Sequence, residues 1–105
     1  MTTFDQRRYA FEAKFAHDEE LRFRALARRT RMLGKWAAGQ LGLTGAEAEA
    51  YAEALVTEDI KRKGEAEVFQ KIRTDFDVAG VTQSDHQIRR HMDEYLAQAM
   101  AEVET

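Results

Sequence analysis

"HDEELR", residues 17–22, is the stretch on which the fold turns. It separates two apolar segments that share one helical phase. At about 100° per residue, Phe4, Phe11 and Phe15 lie on one narrow arc, and Leu26, Leu33 and Trp36 fall on the same arc. Asp18 and Arg22 occupy it in between. An unbroken helix from Phe4 to Leu41 would be about 57 Å long. A domain of this size has a radius of gyration near about 13 Å and a body only about 35 Å across. The first helix therefore either overhangs the body or breaks at the polar run. The stripe C-terminal to the run belongs to the body; the stripe N-terminal to it has no obvious partner within the chain.

Outward from this point the periodicity is helical throughout, with no convincing strand alternation and no internal repeat. "GLTG", residues 42–45, ends the first helix, with glycine suited to its C-terminal cap. Thr44 with Glu47 reads as a capping box that opens a second helix carrying Ala48, Tyr51, Ala52 and Leu55 on one face. Lys61, Arg62 and Lys63 suit the negative end of that helix, and Gly64 follows. A third helix spans about Glu65 to Ala79, with Val68, Ile72, Phe76 and Ala79 in line and Gly80 as its stop. "VTQS" makes a loop. Ser84 with Gln87 is a second capping box, and the last helix should bury Ile88, Met92, Tyr95, Ala99 and Val103. Short connections favour helices that double back on their neighbours. The expected fold is all-α: a four-helix bundle with a long or broken first helix.

Composition bounds the function. The chain has 105 residues, enough for one domain with a modest core. There is no proline, which permits long helices, and no cysteine, which removes disulfides and thiolate metal sites. A net charge of −3 argues against nucleic acid as the main partner. No apolar run has the length of a membrane span, and the N-terminus lacks a signal-peptide core, so the cytoplasm is the default location.

The N-terminal segment holds four of the ten aromatic residues, Phe4, Tyr9, Phe11 and Phe15. The phenylalanines stand at i, i+7 and i+11, the spacing of an amphipathic helix lying in a groove. Three readings are open: a partner-binding segment, turns folded back to cap the bundle, or a membrane-surface helix. Mixed charge, Arg7, Arg8 and Lys14 against Asp5 and Glu12, disfavours the last.

Other chemistry is sparse. His86 and His91 are five apart, a poor spacing for a shared metal. His17, beside Asp18, Glu19 and Glu20, reads as a pH-sensitive hinge or as a plain solvated histidine. No glycine-rich phosphate loop and no nucleophile–base grouping appears, so an enzyme is not expected, nor a bound cofactor or metal. Arg22, Arg24, Arg28, Arg29, Arg31 and Lys35 form a basic run with no acid among them. Arg28, Arg29 and Arg31 could bind a nucleotide or other anion. The other reading is charge pairing with Glu47, Glu49, Glu53, Glu58 and Asp59 on the next helix. "HQIRRHMDE" reads either as a basic contact patch or as a solvated helix face.

The runs "FEAKFAHDEELRFRALARR", "LGKWAA", "DFDVAGV" and "HQIRRHMDE" resemble the zeta subunit, the small ATPase-inhibitor family of alphaproteobacterial F-type ATP synthases. The resemblance covers essentially the whole chain in order. It implies a four-helix protein with an N-terminal segment that is mobile when free. That segment becomes helical in the cleft between a catalytic β subunit, its α neighbour and the central stalk, where it blocks rotation in the hydrolysis direction. Carried onto this chain, residues 1–17 are the inhibitory segment and 18–105 the bundle that docks outside the cleft. Phe4, Phe11 and Phe15 are its apolar anchors. Arg7, Arg8 and Lys14 meet acidic surface, and Glu12 is a salt-bridge partner. Tyr9, opposite the Phe arc, needs a pocket of its own. The implied location is cytoplasmic, peripheral to the inner membrane through the synthase.

Overall fold

The computed structural model describes residues 18–62 and 65–103. They form four helices: α1 Glu19–Gln40, α2 Gly45–Arg62, α3 Glu65–Ala79 and α4 Asp85–Glu102. The polar run proves to be a helix start. Asp18 has non-helical backbone angles (φ −134°, ψ 88°), and its Oδ1 accepts from the Leu21 amide at 3.0 Å. It thereby satisfies one of the donors that every helix leaves unpaired at its first turn. Glu19 and Glu20 follow, where negative charge suits the positive end of the dipole. At 22 residues, α1 is about 33 Å long. It fits within the 40 Å longest dimension of the body.

The connections follow from local chemistry. Gly42, at φ 81°, lets the Leu43 amide turn back to the Ala38 carbonyl at 2.9 Å. Gly80, at φ 75°, does the same for Val81 and Phe76 at 2.9 Å. Both are left-handed C-terminal caps that cost glycine no Cβ clash. The Ser84 hydroxyl accepts from the Gln87 amide at 3.1 Å, and the Gln87 carboxamide oxygen accepts from the Ser84 amide at 2.7 Å. This reciprocal capping box opens α4. Arg73 braces the same turn. Its guanidinium donates to the Gln83 carbonyl at 2.8 Å, to Asp85 at 3.0 Å and to Asp77 at 2.8 Å.

α1 is the central element, flanked by α2 and antiparallel α4, while α3 closes the bundle. The main core joins Leu33 and Ala37 of α1 to Leu55, Val68, Phe69, Ile72, Phe76, Ile88 and Met92. A full burial of Phe or Ile contributes about 1.5–3 kcal/mol, so these side chains dominate stability. A smaller cluster near the start of α1 packs Ala25, Leu21 and Leu26 on Leu96 and Met100 of α4 and on Val103, which caps it. The apolar stripes expected of α2, α3 and α4 are largely the buried ones. Ala79 is an exception: it lies exposed at the end of α3, and Phe69, one residue off the expected line, is buried instead. Tyr95 and Val103 are half-buried.

A polar contact ties α2 to α3. The Tyr51 hydroxyl donates to Asp75 Oδ2 of α3 at 2.7 Å, and Lys71 Nζ holds the other oxygen at 3.1 Å. Burial, reinforced by the Asp75 hydrogen bond and charge, pushes the Tyr51 phenol well above its ordinary range, so it remains a donor. Replacing Tyr51 with Phe should lower unfolding free energy by about 1–2 kcal/mol, the loss of one hydrogen bond to a charged acceptor. Chemical denaturation would measure it. An unchanged midpoint would mean that the bond contributes nothing.

Candidate functional site

Phe4, Arg7, Arg8, Phe11, Glu12, Lys14, Phe15 and His17 lie outside the described residues. The structure shows the point from which they depart. Asp18 and the first turn of α1 stand at the end of the bundle that holds the Leu21–Leu26 cluster on α4. Phe23, next to this root, is 53% exposed, although Leu21 and Leu26 on either side of it are packed.

The basic run of α1 is spread over three neighbours rather than gathered. Arg24 pairs with Glu20 one turn back at 3.1 Å. Arg31 pairs with Glu53 of α2, and Lys35 with Glu49 of α2 at 3.1 Å. Arg28 instead reaches Glu102 of α4 at 3.2 Å. Arg29 faces Glu65, the first residue of α3, at 3.6 Å. Pairing with α2 is therefore present at Glu49 and Glu53. The three guanidiniums considered for an anion, Arg28, Arg29 and Arg31, each carry a carboxylate from a different helix. Surface pairs of this kind contribute little each, about 0–1 kcal/mol.

Arg29 differs from the rest. Its side chain is 2% exposed, and its Nε lies 3.2 Å from Thr30 Oγ1. Thr30, also buried, donates to Asp59 Oδ2 of α2 at 2.9 Å. Arg29, Thr30, Asp59 and Glu65 thus form one polar knot where α1, α2 and α3 meet. Burial raises the Asp59 carboxyl above the usual carboxylate range; the Thr30 hydrogen bond and Arg29 oppose this, and Glu65 adds to it. Nothing in the sequence pattern marks Arg29 as buried, because the nearest cations of the run, Arg28 and Arg31, are exposed and half-buried.

The histidines are structural in different degrees. His91 stacks on Trp36 with ring centres 4.0 Å apart and planes 17° apart, and its Nδ1 lies 2.9 Å from the Gln87 carbonyl. Trp36 in turn meets Phe76 edge-on at 5.6 Å. His86 is exposed. Among the described residues no group of three or more His, Cys, Asp or Glu is placed to hold a metal. The α2–α3 groove, about 380 Å³, has an apolar floor of Leu55 and Val68 with Glu58, Asp59, Glu67 and Lys71 around it. "HQIRRHMDE" resolves into two faces: Ile88 and Met92 are buried, and His86, Arg89 and Arg90 are exposed. The Arg89 guanidinium carbon lies 4.0 Å over the Phe69 ring. No helix among the described residues is long and apolar enough to cross a membrane.

Helix caps, inter-helix ion pairs and an apolar core are the make-up of a small helical module, and its sequence carries a head segment rich in aromatic and basic residues. The chain belongs to the ATPase inhibitor subunit zeta family, whose family model matches residues 1–102. It is thus a regulatory, non-catalytic protein, and membership implies association with ATP synthase. No curated protein matches the chain.

Proposed function

We propose that this chain inhibits ATP hydrolysis by inserting residues 1–17 as a helix at the interface of the catalytic β subunit, its α neighbour and the central stalk. Residues 18–105 form the bundle that docks outside and limits the depth of insertion. The observation that carries the reading is the extent of the family match, which takes in the N-terminal segment together with the bundle. Phe4, Phe11 and Phe15 supply anchors on one helical arc, and aromatic anchors are the usual hot spots of interfaces. Ordering the segment costs conformational entropy along its whole length, so Arg7, Arg8 and Lys14 must add charge pairs to what the three rings return. Glu12 takes a cation of the enzyme. His17 is the hinge between segment and bundle. The protein acts in the cytoplasm, peripheral to the inner membrane through the synthase.

The test is ATP hydrolysis by the isolated cognate catalytic head, titrated with the full chain and with a version lacking residues 1–17. The described core runs from Ala25 to Ala99, so truncation removes none of its residues. Full-length protein should inhibit. The truncated bundle should fold and leave hydrolysis unchanged. Within the full chain, Phe11→Ala or Phe15→Ala should weaken inhibition by about 2 kcal/mol, the size of an interface hot spot. Equal inhibition by the truncated bundle would sink the insertion reading.

A further inference from the structure

We propose that the outer face of the α3–α4 seam, centred on Arg89, is a second contact surface of the bundle and takes an acidic segment of the catalytic head. The proposal rests on the reading that the chain binds that head. Its starting point is a contrast within the chain. From Arg24 to Lys35 the cations of α1 are paired with carboxylates, and Lys71 and Arg73 of α3 are paired with Asp75, Asp77 and Asp85. Arg89 is held differently. Its guanidinium lies over the ring of Phe69, and that ring is fixed by the main core.

An arginine parked on an aromatic face keeps its N–H donors available for a planar, two-point bond to a carboxylate. Being pre-positioned, it loses less freedom when the bond forms. His86 stands three residues before Arg89 and four before Arg90 on α4, so its side chain neighbours both, and all three are exposed. Asp93, four residues on from Arg89, is buried and has a partner of its own, and the other neighbouring acids are committed elsewhere or held loosely. Asp85 is bound by Arg73 at 3.0 Å, and Glu94 approaches Arg90 only to 3.8 Å. A chain of net charge −3 thus leaves one cationic face on its seam. Two arginines and a histidine are too few to draw a nucleic acid to an acidic chain. They match a short protein segment bearing two or three carboxylates, for which the arginine fork has the right geometry.

The test measures binding of full-length chain to the cognate catalytic head at low and high salt. Arg89→Glu should weaken binding about tenfold or more at low salt, with the difference shrinking at high salt. Arg89→Lys should fall in between, because it keeps the charge and loses the fork. Arg90→Glu, which does not touch Phe69, gives the same direction should the Arg89 variants fold poorly. Unaltered affinity in Arg89→Glu and Arg90→Glu overturns the proposal and leaves the insertion reading standing. Binding of the parent chain without inhibition does the reverse. Two other occupants are open to the same variants: a second copy of the chain, seen as self-association lost in Arg89→Glu, and a free oxyanion, seen as inorganic phosphate displacing the head. Either overturns the acidic-segment assignment.

Discussion

Arg29→Ala lowers the unfolding free energy by about 3–5 kcal/mol, the cost of removing one partner from a buried ion pair. That is a large share of the stability of a small domain. The guanidinium is 2% exposed and faces Glu65 at 3.6 Å. Its removal leaves a cavity and deprives two half-buried carboxylates, Asp59 and Glu65, of a cation. Arg29→Met separates the two effects: it refills most of the volume and restores none of the charge, so it should recover the packing part only. The pH dependence has a definite sign. Asp59 titrates above its ordinary range because of burial, with Arg29 among the influences that pull it down. A carboxyl raised in the folded state gives stability that is full below its unfolded pKa and is lost as pH rises through the folded pKa. Without Arg29 the Asp59 carboxyl rises further. The deficit of Arg29→Ala is therefore greatest at neutral pH and narrows as acid protonates Asp59. Urea denaturation of both proteins at neutral and mildly acid pH checks this. A deficit that widened in acid would refute the assignment.

The order and bounds of the helices were legible because they rest on local chemistry. Gly42 and Gly80 stop helices by backbone conformation, and Ser84 with Gln87 opens one by reciprocal hydrogen bonds. All three signals are contained within a few residues. α1 starts at the polar run, and the capping role of Asp18 toward the Leu21 amide was not read from the sequence. Packing partners were harder. The charge of α1 was matched to α2, and Arg31 and Lys35 do pair there. Arg28 and Arg29 pair with Glu102 and Glu65, residues distant in sequence, because a helix at the centre of a bundle shows its faces to several neighbours at once. Phe69 is buried and Ala79 exposed because α3 turns slightly different residues inward than a strict four-residue stripe allows. The residues proposed to inhibit stand on different ground: Phe4 to His17 lie outside the described residues, and the roles proposed for them come from the resemblance together with the spacing of the three phenylalanines.

Gly34 carries a second expected result, and here two ordinary rules give opposite signs. Helix propensity says that glycine inside a helix should be improved by alanine, by about 1 kcal/mol. The packing says otherwise. A Cβ built on Gly34 would stand 2.8 Å from Ala52 Cα and 3.1 Å from Ala52 Cβ. The nearer atom is backbone of α2 and has no rotamer through which to yield. α1 and α2 would have to separate, opening the seam that also holds Leu33, Ala37 and Leu55. Overpacking a tight core costs about 1–3 kcal/mol, occasionally more. Gly34→Ala should therefore destabilise by up to about 2 kcal/mol after the propensity gain is subtracted, and Gly34→Leu by about 3 kcal/mol or more. Gly39 supplies the internal control. It lies in the same helix, five residues on, with nothing within 4 Å of an added Cβ. There propensity acts alone, and Gly39→Ala should stabilise by about 0.5–1 kcal/mol. Thermal and chemical midpoints of the two alanine variants should move in opposite directions. Movement in the same direction would mean that the α1–α2 seam can open to admit a methyl group, and the close approach at Gly34 and Ala52 would lose its place as the constraint that sets the spacing of these helices.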